Sequence, residues 1–542
     1  VTFATNYQTT MRMKTLRIAA IAISLAAAET ALAGGLLTNT NQNIVFLRNP
    51  ARDAAIGIDG VYSNPAGVAF LGDGLHLSFN LQNAHQTRTV TTGFPLFVFN
   101  ADKPGQTTRE FKGDADAPII PSIQAAWNKG KWSLQFGFAI TGGGGKCEFD
   151  GGLGSFEQVV ASLPAAALTP INGQTMNDAF AGIGKLDPSS PFAKEQIGNG
   201  YSFDSYMRGR QYYYGFTLGA ARKLTDNLSV YGGLRMLYGT ANYYGYVRDI
   251  KVESTIHGMA NAPKHFGEAQ LELAKYSGIA ATKAEQAQAA SEAFAAAGDA
   301  EKAAMYASAA TQARAAATGL AAGAAGANKI AALTQDIELN CDQTGWGIAP
   351  IIGVDYKTGR LNLAAKYEFK TRMRLKNKSA NSESAKSIAM LDKYADGNKV
   401  AEDSPALLTV GAQYEITNDL RVMAGWHHYF DVDTKQYTKD MLSDSNEYLF
   451  GAEYDICDIV QVSAGAQRTA YSLKDAGMND ISFNVSSWSY GFGVGVKVSE
   501  KVKINAAYFQ TLYDDYNKTE AIVTNSFTRT NRVLGLGVDL KL

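Results

Sequence analysis

The sequence predicts an all-β membrane protein: a 14-stranded antiparallel outer-membrane β-barrel with an N-terminal hatch and helical insertions in its extracellular loops. Three observations carry that expectation. The chain opens on an export signal. It then runs through segments of period-two alternation joined by alternately short and long links. And no later stretch offers the roughly 18 uncharged apolar residues that a spanning helix needs, so whatever crosses the membrane must be strands.

The export signal is read from charge and apolar length. Met11 to Arg17 carries Arg12, Lys14 and Arg17, Ile18 to Ala28 is apolar, and Ala31-Leu32-Ala33 suits a cleavage site. Residues 1–33 are therefore read as upstream residues plus a signal peptide, with the mature chain beginning near Gly34. The apolar run is about half of what a membrane anchor requires. The net charge of −1, with no clustered basic patch, argues against a nucleic-acid partner. Tyr at 27, Gly at 53 and Pro at 13 suit many strands rather than a disordered chain.

Strands are expected near 75–82, 119–127, 132–141, 211–222, 228–246, 345–356, 360–375, 406–416, 420–430, 446–456, 459–472, 482–498, 501–513 and 526–542. In the seventh, Leu361, Leu363, Ala365, Tyr367 and Phe369 share one face, while Asn362, Lys366, Glu368 and Lys370 share the other. Short links at 128–131, 223–227, 357–359, 417–419, 457–458 and 499–500 are rich in turn formers, and long links fill the other junctions. A soluble sandwich has no reason for such asymmetry, whereas a barrel with tight periplasmic turns and long outer loops does. Clusters such as Tyr212 to Tyr214, Tyr243-Tyr244, Tyr246 and Trp426 to Phe430 read as membrane-boundary girdle residues.

The barrel domain is placed at 74–542. Within it, 247–344 forms a long extracellular loop whose Ala-rich part, 267–333, predicts a helical hairpin with Gly298-Asp299 as stop and N-cap. A shorter amphipathic helix is expected around Ser384 to Tyr394. Residues 34–73, rich in Gly, Asn and Ala and without strand pattern, must lie somewhere other than the wall, which leaves the lumen.

Asp59-Gly-Val-Tyr-Ser-Asn-Pro-Ala-Gly-Val-Ala-Phe70, with a looser Arg48-Asn-Pro-Ala51 before it, resembles a signature of the FadL-type outer-membrane transporters of long-chain fatty acids and other hydrophobic compounds. Thr344 to Ile348, Leu361 to Phe369 and Ser404 to Gly411 resemble positions in the middle of that family's barrel. The resemblance implies a hatch built on Asn49, Pro50, Ala51, Asn64, Pro65, Ala66 and Gly67. It also implies capture of an amphiphile by outer loops, exit sideways beside a kinked third strand, and a monomer whose partners are outer-membrane lipid and a fatty acid-like ligand, without a cofactor. Pro118, Pro121 and Gly142, Gly143, Gly144 and Gly145 are the residues here that fit such a kink and lateral gate, since proline removes a ladder donor and glycine weakens a strand. A flexible loop base would use the same residues. A polar-solute porin or a structural surface barrel is the alternative function.

Cys147 and Cys341 lie near the bases of large outer loops in an oxidising compartment, and a disulfide between them is weighed against free thiols, with Cys457 left over in a periplasmic turn. An enzyme is not expected. The pair His427-His428, near Asp431 and Asp433, points to opposite faces of a strand, so a girdle or loop role is expected for it. No metal or nucleophile motif is present.

Overall fold

The structure is a computed structural model that describes residues 43–167, 188–386, 388–436, 438–471, 473–480 and 483–542. The expected signal peptide and the first part of the expected lumenal segment lie outside the described residues. Eighteen hydrogen-bonded segments make one closed antiparallel sheet. Three of them continue a neighbouring strand and one is a short return, so the wall has fourteen strands.

These are β1 (Gly74–Gly93), β2 (Thr108–Lys129), β3 (Trp132–Phe149), β4 (Ile197–Lys223), β5 (Leu228–Ser254), β6 (Ile337–Thr358) and β7 (Leu361–Glu368, continued by Arg374–Ser379). They are followed by β8 (Lys399–Ala401, then Leu407–Glu415), β9 (Leu420–Tyr429), β10 (Ser445–Asp455), β11 (Val460–Ala470), β12 (Ser487–Ser499), β13 (Val502–Tyr513, then Tyr516–Glu520) and β14 (Val523–Lys541). The barrel closes where β1 pairs with β14 from His76↔Lys541 to Gly93↔Thr524. Closure leaves no edge for lipid to strand without hydrogen bonds.

Alternation sets which side meets lipid. On β1, Leu75, Phe79 and Leu81 face out while His76, Ser78, Asn80 and Gln82 are buried inside. Trp132, Leu134 and Phe136 on β3, Ile348 and Ile352 on β6, and Leu534 and Leu536 on β14 extend the exposed apolar band. In a water-soluble fold so many exposed large side chains would be a liability; around a barrel they form the lipid-facing surface. No helix among the described residues is long and apolar enough to cross a membrane.

Several strands run well past the expected ends. β4 begins at Ile197 rather than 211, β2 at Thr108 rather than 119, and β1 continues to Gly93. Above the apolar band both faces of a strand are polar or aromatic, so the alternation fades although the ladder continues. For the same reason residues 514–525, expected as a long link, are mostly strand, interrupted at 514–515 and by a tight turn at Ala521, whose φ is 56°.

Among the links, α1 (Ile44–Arg48) lies inside the barrel, and α2 (Gly154–Ala167) was not foreseen. The Ala-rich insertion folds as α3 (Ala262–Ala296) and α4 (Ala300–Leu333). Gly298, at φ +80°, ends one helix, and the Asp299 carboxylate accepts from Lys302 N at 3.1 Å to start the next. The expected helix at 384–394 is broken into α5 (Glu383–Lys386) and a 3-10 turn, Ala389–Tyr394. Phe94, Phe97, Phe149, Phe156, Phe192, Phe266 and Leu320 join these links into one apolar core over the end of the barrel opposite the short turns.

Candidate functional site

Residues 43–71 occupy the barrel interior, and their contacts show how the sequence folds them there. The Asn43 side chain caps α1 by accepting from Val45 N and donates to Ser78 and Gln124 of the wall. Asn49 folds back to accept from Ala51 N at 3.0 Å, and Asn64 accepts from Gly67 N at 3.1 Å, so each Asn-Pro pair closes an Asx turn whose proline sets the chain direction. Wall side chains then hold the carbonyls: Gln135 donates to Pro65 O at 2.7 Å, Ser229 to Ala66 O at 2.5 Å, and Asn362 to Ala54 O at 2.6 Å. Asn64 Nδ2 donates to Asp355 at 2.5 Å. A side chain on Gly67 would collide with Asn64 and Asp355, so glycine is required by close approach.

Charge fastens the same segment more strongly. Arg52 pairs with Asp59 at 2.7 Å and with Glu453 of β10 at 2.7 Å, all three buried. Asp53 meets His427 Nε2 at 2.9 Å, whose Nδ1 faces Glu447 at 2.7 Å. The His427-His428 pair does point to opposite faces. The expected girdle or loop role fits only His428, which packs outside between the rings of Trp426 and Phe430, edge-on to the latter; His427 is an inward anchor. Parity corrects the tyrosine clusters too: Tyr213 and Tyr243 are buried inside, while Tyr212, Tyr214, Tyr244 and Tyr246 face outward. Asp431 is buried in the link after β9, where it accepts from Ser445 N and its carboxyl is pushed up to about 7 by burial.

The wall makes room for the segment with glycine. Gly411 pairs with Gly425 across β8 and β9, and Gly451, Gly465 and Gly491 follow one another across β10, β11 and β12. A Cβ on Gly411 would lie 2.5 Å from Asp53, on Gly451 1.8 Å from Asn49, and on Gly491 2.0 Å from Leu47 O. The sequence reading missed this row. Its signal was there, as glycines recurring at inward positions of consecutive strands.

The other feature is a break in the wall. The β2–β3 ladder runs from Lys129↔Trp132 to Ile123↔Phe138, stops, and resumes at Asp116↔Lys146. No β2–β3 ladder pair joins 117–122 to 139–145, and Pro118, Pro121 and Gly142 to Gly145 all fall in that interval. The tight turn is two residues, Gly130-Lys131, which sets Ile123 opposite Phe138. On its other side β3 stays joined to β4 through irregularities at 140–142 and 144–147. Gly143 sits at φ +89° with its missing Cβ 2.2 Å from Gln211 O, so no other residue fits there, whereas Gly144 faces open space. A cleft that opens to solvent, with about 1510 Å³ of empty space when the open solvent at its mouth is included, reaches the break at Ala117, Ile120 and Gly143 to Gly145. The row Ile140–Tyr214–Tyr238–Trp346 sets the break at the upper aromatic edge of the apolar band.

Cys147 and Cys341 are unpaired, as is Cys457. They share the row Cys147–Gly209–Tyr243–Cys341, three strand spacings apart, or about 14 Å, twice the Cα separation of roughly 7 Å that a disulfide tolerates. The weighed disulfide is therefore corrected. All three thiols are expected to titrate in denatured, unreduced protein; a count of one would restore the pairing.

No protein-family model matches the chain, and neither does any curated protein. Among solved structures, a FadL homologue of Pseudomonas aeruginosa superposes with a TM-score of 0.56 at 10% identity, covering 93% of this chain and 99% of that one. The Pseudomonas putida toluene transporter TodX superposes with a TM-score of 0.50 at 13% identity, covering 93% and 99%. With the closed wall, the lipid-facing band and the break beside β3 already in place, the chain has the fold of the FadL-type outer-membrane barrels.

Proposed function

We propose that this protein is a passive outer-membrane transporter for long-chain fatty acids or similar hydrophobic compounds. The observation that carries the reading is that the interior cavity meets the wall where the β2–β3 ladder is interrupted. A hydrophobic molecule is captured among the apolar links over the outer end, enters the cavity, and leaves sideways between β2 and β3 into lipid. It thereby avoids the aqueous periplasm, where its transfer would cost about 25 cal/mol per Å² of apolar surface. Residues 43–71 act as the hatch that closes the lumen toward the short turns, and a full-width aqueous pore is incompatible with their many wall contacts. The protein works as a monomer, with lipid as its surrounding solvent. That TodX is described as a toluene transporter supports the hydrophobic class of cargo.

Cells that lack their own uptake route should gain oleate uptake on expressing the protein, and liposomes containing it should not swell in small sugars. Sugar-driven swelling without oleate uptake would establish a polar-solute porin instead.

A further inference from the structure

The outward face of β7 changes character within one residue. Leu361, Leu363, Ala365, Tyr367 and Phe369 face lipid along the first part of the strand, while Asn362, Lys366 and Glu368 are buried inside. Between the two parts, Leu361–Glu368 and Arg374–Ser379, the ladder is irregular, and beyond Phe369 the even-numbered side chains come out. Thr371, Met373, Leu375 and Asn377 are buried, whereas Arg372, Lys376 and Lys378 are exposed and Lys370 and Arg374 half-buried. A slip of one residue flips every later side chain to the other face. Five cations that period-two counting from Leu361 assigns to the lumen therefore stand on the outside, directly above the apolar band.

Two of the five are engaged within the chain. Arg374 pairs with the buried Asp403 at 2.8 Å, and Lys370 donates to Asp433 O at 2.7 Å. Arg372, Lys376 and Lys378 form no ion pair among the described residues, and neither does Lys399 of β8, the direct cross-strand partner of Lys376. Like charges directly opposite on an antiparallel pair repel. The acids on adjoining segments are occupied: Asp342, opposite Lys378 on β6, accepts from Asn242 at 2.8 Å, and Asp396 accepts from Ser379 N at 2.9 Å. Four cations along roughly 20 Å of wall, at about 3.3 Å per residue, are left for a partner outside the chain.

Their height is that of a lipid headgroup. Thr344 pairs with Lys376, and Trp346 belongs to the aromatic row with Tyr238, so Lys376 stands two residues, or about 7 Å, above the edge of the apolar band. The rings of Tyr367, Phe369 and Phe430 pack together just below Lys370. Aromatic rings mark the boundary between membrane and water, and cations immediately beyond it meet phosphates rather than acyl chains.

We infer that Arg372, Lys376, Lys378 and Lys399 bind the phosphates of an acylated, phosphorylated lipid of the outer leaflet, whose chains lie on the apolar wall below. Leu363, Phe369, Ile348 and Ile352 supply the surface for the chains, and the cations supply that for the headgroup. A soluble anion would use only the second. The site is on the outside of the wall and does not depend on what the barrel transports.

The test offers diphosphoryl lipid A, and the monophosphoryl form with the same acyl chains, to the purified barrel in a non-ionic detergent, with occupancy read by native mass spectrometry. The native barrel should bind the diphosphoryl form about tenfold or more tightly than a variant combining Arg372→Gln, Lys376→Gln and Lys378→Gln, and should prefer it to the monophosphoryl form. Phosphatidylethanolamine should bind native and variant alike, which reports an intact apolar wall. Removing equal charge at the short turns, with Lys129→Gln, Lys131→Gln and Lys357→Gln, should change nothing. Equal binding of the diphosphoryl lipid by the native barrel and the β7 variant, or an equal loss in the turn variant, would overturn the site. So would displacement of the lipid by inorganic phosphate alone at matched ionic strength.

Discussion

Gly144→Trp should lower oleate uptake by about tenfold or more while leaving the barrel folded, because a passage is limited by its narrowest lining. Gly144 is exposed at the break between β2 and β3, lines the cavity, and has no atom within 4 Å of where its Cβ would stand, so a side chain can leave the backbone there without displacing the wall. Gly143 is the wrong place for the same experiment. Its φ of +89° and the Gln211 carbonyl 2.2 Å from the missing Cβ mean that any side chain there strains β3 and β4 together. Uptake by Gly144→Trp is to be compared with native protein of matched surface abundance and heat-modifiable mobility. Native-level uptake would show that the break is not the exit.

Arg52→Met should release the hatch. The substitution keeps most of the apolar stem but leaves Asp59 and Glu453 buried, with the ion pairs at 2.7 Å to each carboxylate gone. Removing one member of a buried ionic group costs about 3–5 kcal/mol, which raises the undocked population of the segment by roughly two to three and a half orders of magnitude. The wall ladder is untouched, so the barrel should stay folded. Single barrels in a planar bilayer should then conduct ions in frequent bursts, and backbone amides of residues 43–71 should exchange faster, with β8 to β12 unchanged. A variant as silent as the native barrel would show that Arg52 does not hold the plug.

How much of this was legible beforehand divides by the kind of signal. The wall strands were readable because lipid outside and a polar lumen inside force a period of two onto each, as with Leu361 to Phe369 against Asn362 to Lys370. Their upper reaches were not, because the chemical contrast between the faces ends with the membrane while backbone hydrogen bonds continue. The Asn-Pro turns at Asn49 and Asn64 were readable because their conformations are local. The partners of those turns were not, since Asp355, Gln135 and Ser229 stand far away in sequence. Gly142 to Gly145 drew notice as a glycine run, but only the register shows that the β2–β3 ladder stops there.

The sequence by itself determined the barrel and its strand count, since burial pattern and link length are properties of consecutive residues. The tertiary structure decided everything that depends on which residues meet. It put Cys147 and Cys341 three strands apart rather than together, and gave His427 to Asp53. It also turned Arg372, Lys376 and Lys378 to the outside by a one-residue slip after Phe369. Closing a sheet joins the two ends of the chain and every strand between, and the register of that closure is a global quantity that no local pattern encodes.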